Sequence, residues 1–549
     1  MSRTPPAGAR GADLLVRMAQ RLGVRCVFSL SGNHIMPVYD ALVGSGIRLV
    51  HTRHEGAAVH MADAWGRLTG EAGVALVTGG PGHANAVSAL YTARMADSPL
   101  VLLSGHAPLA LQGQGPFQEL QQAEMAAPVC KASWTCRSAD EVAADLARAV
   151  QLARSGRPGP VHLSLPSDVL DGIATADALP QAPAGSPVAM PLAAREARDL
   201  IDWLQRAERP LLLCGPQALT PGHRALLDGL REACGVPVIG MESPRGVADP
   251  SLGALAEVLA RADAVLLLGK RFDFTLRHGQ APFGAGVRWA QIDAEDDEIE
   301  RTRRGLGPRL ERWASSDLSR AASALARAAR PLPQHRAWTA EVAEALAWRP
   351  ATWRDTASST PERLHPLQAL QPLQAVLDRH PEAVFVCDGG EVGQWAQACL
   401  SAPRRIVNGV AGSIGSALPF ALAARCALPP EVPVVAVSGD GSIGFHLAEF
   451  DTGVRHALPV LVVVGNDARW NAEHQIQLKD YGAERLFGCD LLPTRYDLAA
   501  AGLGAHGEHV QQAAELPAAL ERALASGRPA CINVLIEGPA APQLRRPES

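Results

Sequence analysis

Residues 432–467, VPVVAVSGDGSIGFHLAEFDTGVRHALPVLVVVGND, decide the fold. An apolar run ends at GDGSIG, helical spacing predicts a helix over about 445–456, and a second apolar run ends at GND. Strand, Gly-rich loop, helix and strand make one βαβ unit, whose parallel strands deliver their C-terminal loops to the same edge of the sheet. Asp440 and Asp467 stand in those two loops, 27 residues apart, placed to share one ion. Mg²⁺ seeks octahedral oxygen coordination and keeps water or phosphate ligands. The glycines around Asp440 let backbone N–H groups approach phosphate oxygens, and the helix N-terminus that follows adds positive potential. Taken alone, either aspartate is better read as a turn residue. At the two ends of one βαβ unit, beside a Gly-rich loop, the pair points to a metal–diphosphate site.

Outward from this unit the same alternation recurs. GVALVTG, PLVLLSG and GPVHLSLP precede it in a first block; RPLLLCG, VPVIGM, DAVLLLGK and VRWAQID form a second; AVFVCDGG and PACINVLI complete the third. Near-continuous apolar strands separated by helix-length segments indicate parallel sheets covered on both faces. Two interruptions rich in Ala and Pro, 171–192 and about 330–366, divide the chain into blocks near 1–172, 190–330 and 362–540, although EVAEALA inside the second reads as a helix. The expectation is an α/β protein of three doubly wound parallel-sheet domains, with no exact short repeat. NGVAGSIGSALPFALAA competes as a dinucleotide loop, but Gly409, Gly412 and Gly415 are spaced G-x-x-G-x-x-G and Pro419 follows inside the next helix, a weak case for NAD.

In the first block, VHTRHEGAAVHMADAWGRLTG (residues 50–70) raises its own question. Glu55 stands where a strand-like run becomes a helix marked by Ala57, Ala58, Met61, Ala62, Trp65 and Leu68 at helical spacing, with Gly70 as a stop. A carboxylate there either caps the helix or points into the crevice at the strand ends.

Bulk properties narrow the classes. With 549 residues, 47% hydrophobic and 19% charged, the chain is an ordinary multidomain globular protein. A net charge of -5 gives no sign of nucleic-acid or membrane-surface binding, and no apolar run is long enough to span a membrane. Ten scattered cysteines with no C-x-x-C pair form neither a disulfide framework nor a zinc site, and the N-terminus has no apolar signal core, so a cytoplasmic setting is expected.

The 432–467 stretch resembles the thiamine diphosphate motif, in which GDG precedes an Asn-Asn pair. VFSLSGNHIMPVYDAL, TRHEGAAVHMADAWGRLTG, GPGHANAVSALYTARMADSPLVLLSG and FQELQQAEMAAPVCKAS are similar to the first block of the same enzymes. The likeness covers nearly the whole chain and is nearest to acetolactate synthase-like members. It implies pyrimidine-binding, central and diphosphate-binding domains. It also implies that Glu55 hydrogen-bonds N1′ of the aminopyrimidine, which makes the cofactor's 4′-nitrogen basic enough to take a proton from a weak carbon acid in a dry site. By the same resemblance Ile414 props the cofactor into its bent shape, the Gly412 carbonyl accepts from the 4′-amino group, and Gly441 and Ser442, with Gly393 and Gln394 of the GEVGQ turn, face the diphosphate. Asp440, Asp467 and the Arg469 carbonyl would bind Mg²⁺. The expected assembly is a homodimer or dimer of dimers with active sites at the subunit interface.

Several departures bear on substrate. The motif's second Asn is Asp467, Trp395 replaces a histidine common after the GQ turn, and Ile476 stands where acetolactate synthases carry a substrate-selecting tryptophan. GNDARWNAEHQIQLKDYG looks more like 2-hydroxyacyl-CoA lyase relatives. Gln118 and His34 match active-site positions, and Trp470, Asn471, Glu473 and His474 are further substrate-facing candidates; His83 and His106 are weaker. The reading is a thiamine diphosphate-dependent lyase or carboligase acting on a 2-oxo acid or 2-hydroxy ketone. One alternative is a 2-hydroxyacyl-CoA lyase or oxalyl-CoA decarboxylase type, with Arg271, Arg277, Arg301, Arg303 and Arg304 on ADP phosphates or forming a solvated face. Others are a catalytically silent cofactor-binding scaffold, which the presence of Glu55 disfavours, and an NAD dehydrogenase. FAD in the central block is compatible with the resemblance but not called for.

Overall fold

The computed structural model describes residues 8–175, 179 and 187–546; residues 1–7 and 547–549, and residues 176–178 and 180–186 of the first expected linker, lie outside the described residues. The chain forms two compact units, Met1–Val188 and Ala189–Ser549. The first unit holds β1 (Cys26–Ser29), β2 (Arg48–His51), β3 (Gly73–Val77), β4 (Leu100–His106), β5 (Ala132–Thr135) and β6 (Pro160–Pro166), in the order β2-β1-β3-β4-β6-β5. The second unit holds two sheets. One contains β7 (Pro210–Cys214), β8 (Val238–Gly240), β9 (Ala264–Leu268), β10 (Arg288–Asp293) and β11 (Leu310–Ser315), ordered β11-β10-β9-β7-β8. The other contains β12 (Val384–Cys387), β13 (Arg404–Val407), β14 (Val434–Gly439), β15 (Leu461–Asn466), β16 (His506–Val510) and β17 (Ala530–Leu535), ordered β13-β12-β14-β15-β17-β16.

Every strand pairing within the three sheets is parallel, as the apolar runs required. The first and third sheets also share one strand order, so the chain contains a structural repeat that leaves no exact repeat in the sequence. In each, the order reverses between the first and third strands, and strand ends at such a reversal open a ligand crevice. The side chains of β14 and β15 are buried almost throughout, against the helix Ala417–Ala427 on one face and Leu367, Leu370 and Leu373 on the other.

Two local expectations are corrected. The helix expected over 445–456 is instead a single turn, Asp440–Ile443, and a separate helix, Glu449–Arg455. The chain between them is held open where Nδ1 of His446 bonds the Gly415 carbonyl at 2.8 Å. The GEVGQ turn is a helix, Gly390–Cys399; Gly393 is required there because a Cβ would lie 2.1 Å from the Asp388 carbonyl oxygen. Within the second interruption, the helix Arg336–Ala347 places Trp338, Val342 and Ala345 in the core of the central sheet, and the Trp338 indole donates to the Pro210 carbonyl. Among the described residues no helix is long and apolar enough to cross a membrane.

Inside the first unit His83 and His162 lie fully buried with ring centroids 4.6 Å apart. Burial drives the His83 imidazole down to about 4 and His162 well below its usual range. The unfolded chain therefore binds more protons than the folded one below pH 6.5, and the stability these neutral rings support is lost as pH falls through that window. Between pH 6.5 and 5 the two together should remove about 2–4 kcal/mol. Urea midpoints across this range should fall more steeply for wild type than for His162→Gln, and equal slopes would refute the assignment.

Candidate active site

In the first unit the helix Glu55–Thr69 follows β2, and its buried face includes Ala57, Ala58, Met61, Ala62, Trp65 and Leu68 as the spacing predicted; Gly70 ends it in the left-handed conformation. Its N-cap is His54, whose Nδ1 accepts from the Gly56 N–H at 2.9 Å. Glu55 is thereby relieved of the capping role. Its buried carboxylate instead takes a hydrogen bond from the Asn85 amide, 3.1 Å to Oε2, while Oε1 points at Gly82, where a Cβ would sit 3.3 Å away. Thr78 adjoins the same glycine and bonds Nδ1 of His34 at 3.1 Å. Gln118, at φ 59°, packs on Gly80, and Phe117 stacks over His34. Glu55, His34 and Gln118 thus converge on the loops after β1, β2 and β3. His34 is buried, and burial lowers its pKa. His83 and His106 are turned to internal partners, Ser104 and the carbonyls of Ala107 and Leu120.

In the second unit Asp440 opens the helical turn after β14 and Asp467 follows β15, both buried. Burial raises both carboxyls, and each raises or is bonded to the other, so the two side chains adjoin. The Arg469 N–H donates to Asp440 at 3.2 Å. Neither aspartate is ion-paired to a Lys or Arg among the described residues; the Arg469 guanidinium goes to Asp490. Asn466 shapes the loop: its Oδ1 accepts from the Ala468 N–H, and its amide donates to the Thr494 carbonyl and Asn533. Gly538 closes the far side, a Cβ there lying 3.2 Å from Asp467 and 3.1 Å from the Asn471 amide nitrogen, a buried donor with no partner among the described residues. Gly441 lies under the Trp470 indole, 2.6 Å from where its Cβ would be, so no side chain fits at 441.

The loop after β13 carries Gly412 at φ 72° and a half-buried Ile414, whose methyl touches Gly389. An isoleucine belonging to the core would be covered more fully. Gln394 is buried and its Oε1 has no partner among the described residues. Trp395 packs tilted against Trp353 and edge-on against His365 and faces inward. On the helix Asn471–Tyr481, Asn471 and His474 are buried whereas Glu473 and Ile476 are exposed. Of the five arginines weighed for nucleotide phosphates, Arg271 and Arg301 share Glu298 and Arg303 pairs with Glu300.

Sequence reasoning missed Asp388. Fully buried, it accepts from the N–H groups of Gly389, Gly415 and Ala417 and from Ser438 Oγ, tying the loops after β12 and β13 to the end of β14; burial lifts its carboxyl to about 6. The signal was present as an Asp before two glycines at the end of an apolar strand. Asn85 and His54 were likewise unread, since nothing in a single sequence pairs them with Glu55 and Gly56.

Comparison with known proteins matches three thiamine pyrophosphate enzyme family models to the chain: the N-terminal TPP-binding domain over residues 9–125, the central domain over 197–307 and the C-terminal TPP-binding domain over 388–534. The chain is 34% identical to a probable acetolactate synthase of Mycobacterium bovis, with 97% of each chain covered. It is 31% identical to 2-hydroxyacyl-CoA lyase 2 of Homo sapiens, with 96% of this chain and 90% of that one covered.

Proposed function

The chain belongs to the thiamine pyrophosphate enzyme family, and from that premise we propose a thiamine diphosphate- and Mg²⁺-dependent lyase or carboligase that breaks or makes a C–C bond beside a carbonyl. The substrate is a 2-oxo acid or a 2-hydroxy ketone. The carrying observation is the Asp440–Asp467 pair, two adjoining buried carboxylates not ion-paired to a Lys or Arg among the described residues. Two like charges out of water are costly, and a divalent cation offsets that cost. The oxygen-only donors, with the Arg469 carbonyl as third ligand, suit Mg²⁺. The unpartnered amide of Asn471 and the tight glycine at 441 suit a phosphate group beside it.

When bound, thiamine diphosphate supplies the electron sink that such C–C chemistry needs. The protein's own groups do the rest. Gln394, Gly441 and Ser442 hold the diphosphate end, with Gly393 bringing its helix close. Ile414 and the Gly412 carbonyl position the ring system. Glu55, held by Asn85, presents a buried carboxylate to the aminopyrimidine. His34, kept neutral by its surroundings, exchanges protons with substrate beside Gln118. Free, scattered thiols support a cytoplasmic setting, and the working unit is a homodimer or dimer of dimers.

A second reading, a 2-hydroxyacyl-CoA lyase, draws on Ile476, exposed where a selecting tryptophan would narrow the site. A panel of pyruvate, benzoylformate, benzoin, oxalyl-CoA and 2-hydroxyacyl-CoAs, assayed with cofactor and Mg²⁺, separates the two. Turnover of a free 2-oxo acid or hydroxy ketone is expected. Turnover of thioesters alone would replace the first reading with the second, and inertness across the panel would remove both.

A further inference from the structure

The loop after β13, residues 408–416, carries Gly412 and Ile414 at its tip and has little of its own to hold them there. Gly412 is exposed and Ile414 half-buried, whereas Asn408, Gly409, Val410, Gly415 and Ser416 at the base are buried. Three of the nine residues are glycines at positive φ, 72° to 90°, with no side chain to pack the tip. The tip closes one backbone bond of its own, from the Gly412 N–H to the Gly409 carbonyl at 3.0 Å.

Polar groups at the base fix the loop instead. The Asn408 side-chain amide donates to the Ser413 carbonyl at 3.0 Å. Oδ1 of Asp388 accepts from the Gly389 and Gly415 N–H groups, both at 2.9 Å. Its Oδ2 accepts from the Ala417 N–H at 3.3 Å and from Ser438 Oγ at 3.2 Å. Ser438 lies at the end of β14, two residues before Asp440, so one carboxylate ties the ring-end loop to the strand that carries the metal loop. Hydrogen bonds to an ionised carboxylate are the stronger kind, which suits a loop without packing.

Helix capping alone does not account for this arrangement. Ser416, just before the helix Ala417–Ala427, stands at φ −86° and ψ −14° and makes no cap bond, whereas a capping serine needs extended backbone. A carboxylate 29 residues upstream serves the Ala417 N–H instead. The bonds to Gly415 and Ser413 lie outside the helix, one on each side of Ile414.

We propose that Asp388 and Asn408 are positioning residues, a buried clamp that sets where the Gly412 carbonyl and Ile414 stand for the ring end of the cofactor. This rests on the thiamine diphosphate reading above. The clamp acts through the loop, where small displacements are costly to binding and rate.

Calorimetric titration of the full chain with Mg²⁺–pyrophosphate and with Mg²⁺–thiamine diphosphate tests it, because pyrophosphate carries no ring system. Asp388→Ala should lower the preference for thiamine diphosphate over pyrophosphate at least tenfold, with pyrophosphate affinity kept within about twofold. Asp388→Asn, which retains one acceptor oxygen, should recover part of that preference. Asn408→Ala leaves every bond of Asp388 and the start of the helix in place, and should lower the preference about fivefold. It decides the matter alone if Asp388→Ala does not fold. Wild-type preference in either alanine variant, or equal weakening of both ligands, would overturn the clamp and leave the proposed function standing. Wild-type protein that holds pyrophosphate with no preference for thiamine diphosphate would reject the proposed function and the clamp with it.

Discussion

Glu55→Gln leaves the fold intact and lowers kcat/KM by about a thousandfold, in the middle of the range for a positioned proton-transfer group. The substitution keeps size and shape. Asn85 retains an oxygen to donate to, and His54 continues to cap the helix, so the thermal midpoint should stay within about 2 °C of wild type. What disappears is the negative charge. A glutamine amide at this place meets the aminopyrimidine without drawing basicity to its amino nitrogen, so the carbon acid of the bound cofactor exchanges its proton slowly. Proton exchange at that carbon, followed by NMR in the variant with cofactor and Mg²⁺ saturating, reads the effect without any choice of substrate. Exchange at the wild-type rate would remove Glu55 from the role. Asn85→Ala leaves the charge but frees the carboxylate to move, and a loss of about tenfold is expected from it, smaller because position and not charge is disturbed.

The parts of the fold that could be read directly were the strands buried on both faces. PLVLLSG, DAVLLLGK and VLVVV are unbroken apolar runs because β4, β9 and β15 lie inside their sheets. The edges were harder. β5 (ASWT), β11 (LERWAS) and β16 (HGEHV) each cover one flank and expose the other, so their composition is mixed and no continuous run marks them. Asp440, Asp467 and Glu55 were legible because each stands where an apolar strand stops, a place where bland and functional readings can be weighed. Asp388 also stands there, but its meaning lies in partners from 389, 415, 417 and 438, which only the folded topology brings together. The GEVGQ stretch misled because two glycines within four residues suggest a turn. One relieves a positive φ at Gly390 and the other admits the Asp388 carbonyl against the helix.

Asp440→Ala should uncouple the cofactor from its metal. In the metal-free protein burial raises both carboxyls and the charge of Asp440 raises Asp467 further, so ionised Asp440 destabilises the charged form of its neighbour. Removing one relieves that repulsion, so metal-free Asp440→Ala should melt no lower than metal-free wild type, and by about 2 °C higher if the relief is near 0.5–1 kcal/mol. The holo protein behaves oppositely. Without Asp440 the ion loses a charged oxygen ligand, and the Mg²⁺-dependent part of cofactor affinity should fall about a hundredfold, near 2.7 kcal/mol. Opposite signs in the two states are hard to obtain from a general packing defect, which would lower both midpoints. The same variant tests the assembly when mixed with Glu55→Gln. If the first block of one chain and the third block of another complete each site, random mixing makes half the dimers mixed, each with one intact site of two, and activity returns to about a quarter of wild type. Mixed dimers shown by mass spectrometry but lacking activity would place both groups in the site of a single chain. A metal-free midpoint several degrees below wild type, with cofactor affinity still Mg²⁺-dependent, would show that Asp440 supports the loop after β14 and does not hold the ion.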